Sequence, residues 1–234
     1  MIPRYLTGAS TEGARTVAQA RGLGLLVTPD TAGPGSRARY HDHIRHYPAW
    51  AADNGCYAKP ERYDGGPGPL LTWLDSFPVA ERRRCLFATA PDVLRRTADG
   101  TVIGDAAATL EHGLPVLPKI RSLGYPAALV AQDGVEHMAL PWDAFDVLFI
   151  GGSTEWKLSA AVARLSLLAV VRGKHVHMGR VNSLRRVRIA QDAGCHTVDG
   201  TYLAFGPNTN LPKLLGWYDV LEAEEAARLS RYTI

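Results

Sequence analysis

Hydrophobic residues along the chain gather into short, β-prone runs, each closed by a turn-like group and followed by a helical or loop stretch. Eight such runs stand out, at residues 2–7, 23–28, 49–53, 85–90, 127–132, 147–151, 175–179 and 197–199. This alternation is the pattern of a parallel sheet covered by helices. Between the runs, residues 105–112 and 157–172 space Ala, Leu and Val as a helix does, and residues 182–193 open on Asn182 as an N-cap. The tail, residues 218–234, sets Leu221 and Leu229 among Glu222, Glu224 and Glu225 and reads as a closing amphipathic helix. Two stretches break the pattern: residues 29–48, rich in Gly, Arg and His, and residues 60–69, which contain Asp64-Gly65-Gly66-Pro67-Gly68-Pro69. Irregular segments of that length usually serve binding or act as lids.

Composition narrows the fold. At 234 residues and 46% hydrophobic content the chain supports one sizeable core, so residues 1–234 are expected to form a single domain. Eight strands in that length match a (β/α)8 TIM barrel, which needs roughly 250 residues. No apolar run approaches the roughly 20 residues of a membrane span, and the start Met1-Ile2-Pro3-Arg4 lacks a secretory apolar stretch, so a cytoplasmic location without membrane contact is expected. Cys56, Cys85 and Cys195 are odd in number and far apart, which speaks for reduced thiols rather than a disulfide framework or a CxxC metal motif. The net charge is only +3, so attraction to a polyanion must come from clustered Arg and Lys.

The polar residues are informative by position. Asp53, Asp92, Gln132, Gly151 with Gly152, and Asp199 each end or follow one of the apolar runs. In a barrel those ends converge on one bowl, where active sites are built. Taken singly, each is an ordinary turn or N-cap residue. Five coinciding at one edge point to a site.

The order and spacing of these pieces resemble the tRNA-guanine transglycosylase superfamily. Asp53-Asn54-Gly55-Cys56-Tyr57 is similar to that family's Asp-Ser-Gly-Gly-Phe segment, Gln132-Asp133-Gly134 to its Gln-Gly segment, and Ile150-Gly151-Gly152 to its Gly-Gly segment. His177-Met178-Gly179-Arg180-Val181, a helix, and then Thr197-Val198-Asp199 resemble its Met-Gly-Val-Gly segment, helix and nucleophilic Asp. Asp92 falls where the family keeps a base-reading Asp. The likeness runs from about Leu23 to Asp199 and rests on shared order, since each motif alone is short. One departure is plain: no cysteine follows Cys195, whereas the tRNA enzymes carry a Cys-rich zinc subdomain after the nucleophile. The chain is therefore more similar to the compact phage and bacterial relatives that exchange guanine in DNA for a 7-deazaguanine such as 7-cyano-7-deazaguanine.

That resemblance implies a DNA-modifying pentosyltransferase, of the kind that evades restriction, working in the host cytoplasm if phage-encoded. Asp199 would trap the sugar carbon and Asp53 would move the proton, the two-carboxylate logic of retaining glycosidases. Asp92, Gln132, Gly151 and Gly152 would read the base, with Asp92 accepting from its donors and Gln132 and the N–H near Gly152 donating to it. Tyr57 and Met178 are candidates to cover the ring faces, plain packing being the alternative.

Arg180, Arg185, Arg186 and Arg188, with Arg37, Arg39, Arg45 and Lys59 on earlier loops, are candidate phosphate contacts, though an Arg-rich helix is equally a solvated face. The triplet His41, His43 and His46 has metal-like spacing, but the segment is loop-like and the proposed chemistry needs no metal or cofactor. Lys157 is read either as a substrate contact or as a helix-start surface residue. His175 and His177 are expected on opposite faces of one strand, one of them in the barrel. Partners are DNA, guanine and the incoming 7-deazaguanine, with a homodimer or a helper protein left open. Two other readings remain: a tRNA or nucleoside transglycosylase or hydrolase, and an inactive barrel that binds nucleic acid or a modified base.

Overall fold

The computed structural model describes residues 1–29 and 42–231. Arg37, Arg39 and His41 lie outside the described residues. All eight expected runs form strands, β1 Arg4–Thr7, β2 Gly24–Val27, β3 Trp50–Ala52, β4 Cys85–Thr89, β7 Ala127–Ala131, β8 Val147–Ile150, β9 His175–Met178 and β10 Thr197–Gly200. They pair in parallel and close in the order β1-β10-β9-β8-β7-β4-β3-β2, a (β/α)8 TIM barrel. A short hairpin, β5 Leu94–Arg96 with β6 Val102–Gly104, is inserted after β4.

Two apolar layers hold the barrel, and the two-residue period of a strand decides which side chain joins which. Leu6, Ala51, Phe87, Ala128, Val130, Val147 and Phe149 fill the interior. Their sequence neighbours, such as Tyr5, Ala52, Leu129, Leu148 and Ile150, pack outward against the helices. Strands buried on both faces read as continuous apolar runs, which is why they were visible in the sequence.

The covering helices start at side-chain caps. Asp105 accepts from the Ala108 N–H at 3.0 Å to open Ala106–Gly113, and Ser159 caps Ala160–Val171. Ser183, not Asn182, caps Leu184–Asp192; Asn182 instead accepts from the Tyr202 N–H at 3.1 Å and stabilises the loop after β10. The closing helix is longer than the charge pattern indicates, Pro207–Ser230, and Tyr218 anchors it by donating to the Pro3 carbonyl at 2.8 Å. No helix among the described residues is long and apolar enough to cross a membrane.

Candidate active site

Each strand's interior row runs on, two residues at a time, into the mouth of the barrel. Asp53 lies two beyond Ala51, Gln132 two beyond Val130, Gly151 two beyond Phe149, and Asp199 two beyond Thr197. These residues, with Asp92, line one cavity of about 330 Å³. That is the low end of the roughly 300–1,000 Å³ usual for small-molecule sites. Leu26, Val130 and Phe149 form its apolar floor, and Leu94, Val102 and Gly104 of the hairpin cover one side. The hairpin is a part of the site that the strand-and-helix pattern missed; its signal is the turn dipeptide Asp99-Gly100, with Gly100 at φ 84°.

Asp53 and Asp199 face this cavity from β3 and β10, with β1 and β2 between them in the barrel. Burial, then the neighbouring Asp92 and Asp199 charges, pushes the Asp53 carboxyl up to about 7. An unfolded Asp titrates near 3.9. Between these values the folded state keeps a proton that the unfolded state has lost, so Asp53 lowers stability as pH rises from about 4 to about 7. Asp53→Asn removes that penalty. The variant is expected to melt above the parent protein at pH 8, with the gap shrinking toward pH 5 in thermal denaturation; a gap independent of pH would contradict this environment for Asp53.

Asp92 is the centre of a buried network. Its Oδ1 accepts from Asn54 Nδ2 at 3.0 Å and its Oδ2 from Gln132 Nε2 at 2.5 Å. Asn54, 2% exposed, also donates to the Ala90 carbonyl at 2.7 Å, and burial pushes the Asp92 carboxyl up. The Cys56 thiol is a third side-chain partner of the Asp92 carboxyl, so of the roughly four lone-pair sites of a carboxylate about one is left for a further donor. Gln132 accepts from the Gly152 N–H at 2.9 Å, and the Gly151 N–H is spent on Ala131 in the ladder. The backbone donors expected near Gly152 are thus committed within the protein, which leaves the second Gln132 N–H for a ligand.

Asp199 is 14% exposed, and its Oδ1 accepts from His177 Nε2 at 3.0 Å and from the Arg180 N–H at 3.2 Å. His177 is wholly buried, and both it and His175 bond Thr197 Oγ1, at 2.9 and 2.8 Å. Residues two apart on a strand share a face, so the expectation that the two histidines point oppositely is corrected: both lie inside the barrel. The same parity corrects Met178, which points outward into the helix-facing core and is not among the residues lining the cavity.

Arg180 is placed differently from a phosphate contact. It is the one non-glycine residue at positive φ among those described, at 60°, and its guanidinium turns inward to the Gly151 and Gly152 carbonyls. It lies 4.4 Å from the ring centroid of Tyr57, a half-exposed side chain that lines the cavity. Arg188 pairs with Glu224 at 2.5 Å on the closing helix, and Arg186 donates to the Arg180 carbonyl at 3.3 Å. Arg185 and Lys59 are exposed. Lys157 is not a surface residue: it is 4% exposed and donates to the Gly179 carbonyl at 2.6 Å, and burial, then nearby Arg180, brings it down to about 7.

Among the described residues no cluster of three or more His, Cys, Asp or Glu is arranged to hold a metal ion. No protein-family model matches the chain, and no curated protein matches it in sequence.

Proposed function

We propose that the chain is a base-exchange transglycosylase that removes guanine from DNA and installs a 7-deazaguanine in its place. The observation that carries this reading is the pair of carboxylates, Asp53 and Asp199, facing one base-sized cavity with different environments. One is held near neutrality by burial and like charge, as proton transfer requires; the other is oriented by two donors on a single oxygen.

In the first half-reaction an Asp199 oxygen bonds C1′ as the C1′–N9 pair departs with guanine, and protonated Asp53 gives its proton to the leaving base. In the second, the incoming base yields its ring N–H proton to Asp53, its nitrogen attacks C1′, and the Asp199–C1′ bond breaks. Two inversions restore the configuration, and no net proton is consumed. Asp92 accepts from one of the N1–H and 2-amino donors shared by guanine and 7-deazaguanines, and the remaining Gln132 N–H reaches O6. In duplex DNA the nucleotide must be extruded, at a few kcal/mol. Arg185, in the first turn after β9, and Lys59, beside cavity-lining Ala58, are the expected phosphate contacts.

The hairpin's place in base recognition gives a separate expectation. A Cβ at Gly104 would collide with the Gln132 side chain, which its bonds to Asp92 and Gly152 hold in place. Gly104→Ala is expected to weaken guanine binding about tenfold or more by titration calorimetry, about 1.4 kcal/mol, and to lower the melting temperature, because displacing Gln132 leaves the buried Gly152 N–H without its acceptor. An unchanged Kd would remove Gln132 from the base site.

The reading itself is tested by incubating the protein with labelled guanine and, separately, duplex DNA, single-stranded DNA, tRNA and deoxyguanosine. Label entering DNA supports it, label entering tRNA alone transfers the reaction to tRNA, and label in no acceptor contradicts base exchange.

A further inference from the structure

We propose that His177 is the positioning residue of Asp199, pinning the Oδ1 edge of the carboxylate so that Oδ2 is turned to the anomeric carbon; the role rests on the base-exchange reading above. His177 is absent from the cavity lining and wholly buried, so it acts on the site through what it touches, Asp199 by a hydrogen bond and the floor residue Phe149 by ring contact. Its ring is fixed from the sides by Phe149 and Phe87, with centroids 4.5 and 5.0 Å away. The Arg180 N–H converges on the same oxygen, an approach that the left-handed backbone at Arg180 provides. Among the described residues no hydrogen bond reaches Oδ2. Two donors on one oxygen fix the carboxylate's rotation and leave the other oxygen's lone pairs for bond formation.

A nucleophilic role requires Asp199 as its carboxylate, and with His177 in its neutral form the direction of every hydrogen bond in this row follows. An ionised carboxylate only accepts, so His177 Nε2 carries the proton and donates to Asp199. With a neutral ring its Nδ1 is then an acceptor, and the Thr197 hydroxyl donates to it at 2.9 Å. The Thr197 oxygen accepts in turn from His175 Nε2 at 2.8 Å. Burial, then His196 and His177 nearby, drives His175 down to about 3, which keeps it neutral with a single N–H to give. A chain of linked hydrogen bonds holds its geometry more firmly than a lone pair, and small displacements of a reacting group can lower a rate about 100-fold.

The test uses the full chain and three variants, His177→Leu, His177→Gln and Thr197→Val. The single-turnover rate of protein–DNA adduct formation on a guanine-containing oligonucleotide is measured beside guanine Kd and melting temperature. His177→Leu is expected to slow adduct formation about 100-fold with guanine affinity within about twofold of the parent, because the ring lies outside the base cavity. His177→Gln, whose amide N–H can stand in for Nε2–H, is expected to recover the rate to within about tenfold, and Thr197→Val to fall between the two. A parental rate in His177→Leu overturns the proposal, as does a Gln variant that loses rate and base binding together with the Leu variant. Nitrogen NMR of the unmutated protein decides the matter if the variants fail to fold. His177 protonated at Nε2 alone supports the assignment; a neutral ring protonated at Nδ1 overturns it. If the unmutated protein forms no adduct, the base-exchange reading fails, while the NMR result still reports whether His177 holds Asp199.

Discussion

Asp199→Ala is expected to leave DNA without any 7-deazaguanine in cells that express the chain and are supplied with 7-cyano-7-deazaguanine, while the parental protein yields a new deoxynucleoside by mass analysis. Among the described residues the other cavity carboxylates, Asp53 and Asp92, follow different strands, and His177 lies behind Asp199 and outside the lining. Removing the nucleophile of a covalent mechanism commonly lowers kcat on the order of 10⁶-fold, far below detection in such an assay. The Ala variant also strands the His177 N–H, an unpaired buried donor worth about 1–3 kcal/mol of stability. Asp199→Asn separates the two effects: its amide oxygen still accepts from His177 and Arg180, but it is no nucleophile. Both variants are expected to be inactive, and only the Ala variant to melt at lower temperature. Modified DNA from the Asn variant would remove Asp199 from the chemistry.

Asp53→Asn is expected to lower turnover about 10²–10⁴-fold, the range contributed by one positioned proton-transfer group. The pH dependence sharpens this expectation. Guanine departs with the proton of protonated Asp53, whose carboxyl is held at about 7 by burial and by Asp92 and Asp199. In the parental protein the single-turnover rate should therefore be level below about pH 7 and fall tenfold per pH unit well above it. Asn cannot titrate, so this break is expected to vanish in the variant. A break near pH 7 that survives in Asp53→Asn would assign the proton to another group, and buried Lys157, also brought down to about 7, would be the first to examine.

The barrel was legible in the sequence because its strands are buried on both faces and so stand out as unbroken apolar runs. The mouth was legible for a related reason: Asp53, Gln132, Gly151 and Asp199 are where those runs turn polar while keeping the interior parity. Parity applied strictly would also have excluded Met178 and placed His175 with His177 inside, since each of these follows from counting in twos along β9. Other features depend on contacts between distant segments that local pattern does not carry. The inward turn of Arg180 depends on carbonyls at Gly151 and Gly152, and Asn54 owes its place to Asp92 and Ala90 on the neighbouring strand's end. Arg188, likewise, is engaged by Glu224 on the closing helix, which packs against the helices Glu12–Arg21 and Leu184–Asp192. Charge counting along one helix cannot distinguish such a pairing from a phosphate contact.

Mass spectrometry of the protein quenched during its first turnover on a guanine-containing DNA strand tests the reaction most directly. The expected species is protein joined to the strand with one guanine lost, and its fragmentation places the sugar on the side chain of Asp199. Exchange of guanine without any such species, or with the strand joined to another residue, would contradict a mechanism in which Asp199 holds C1′ between the two bases.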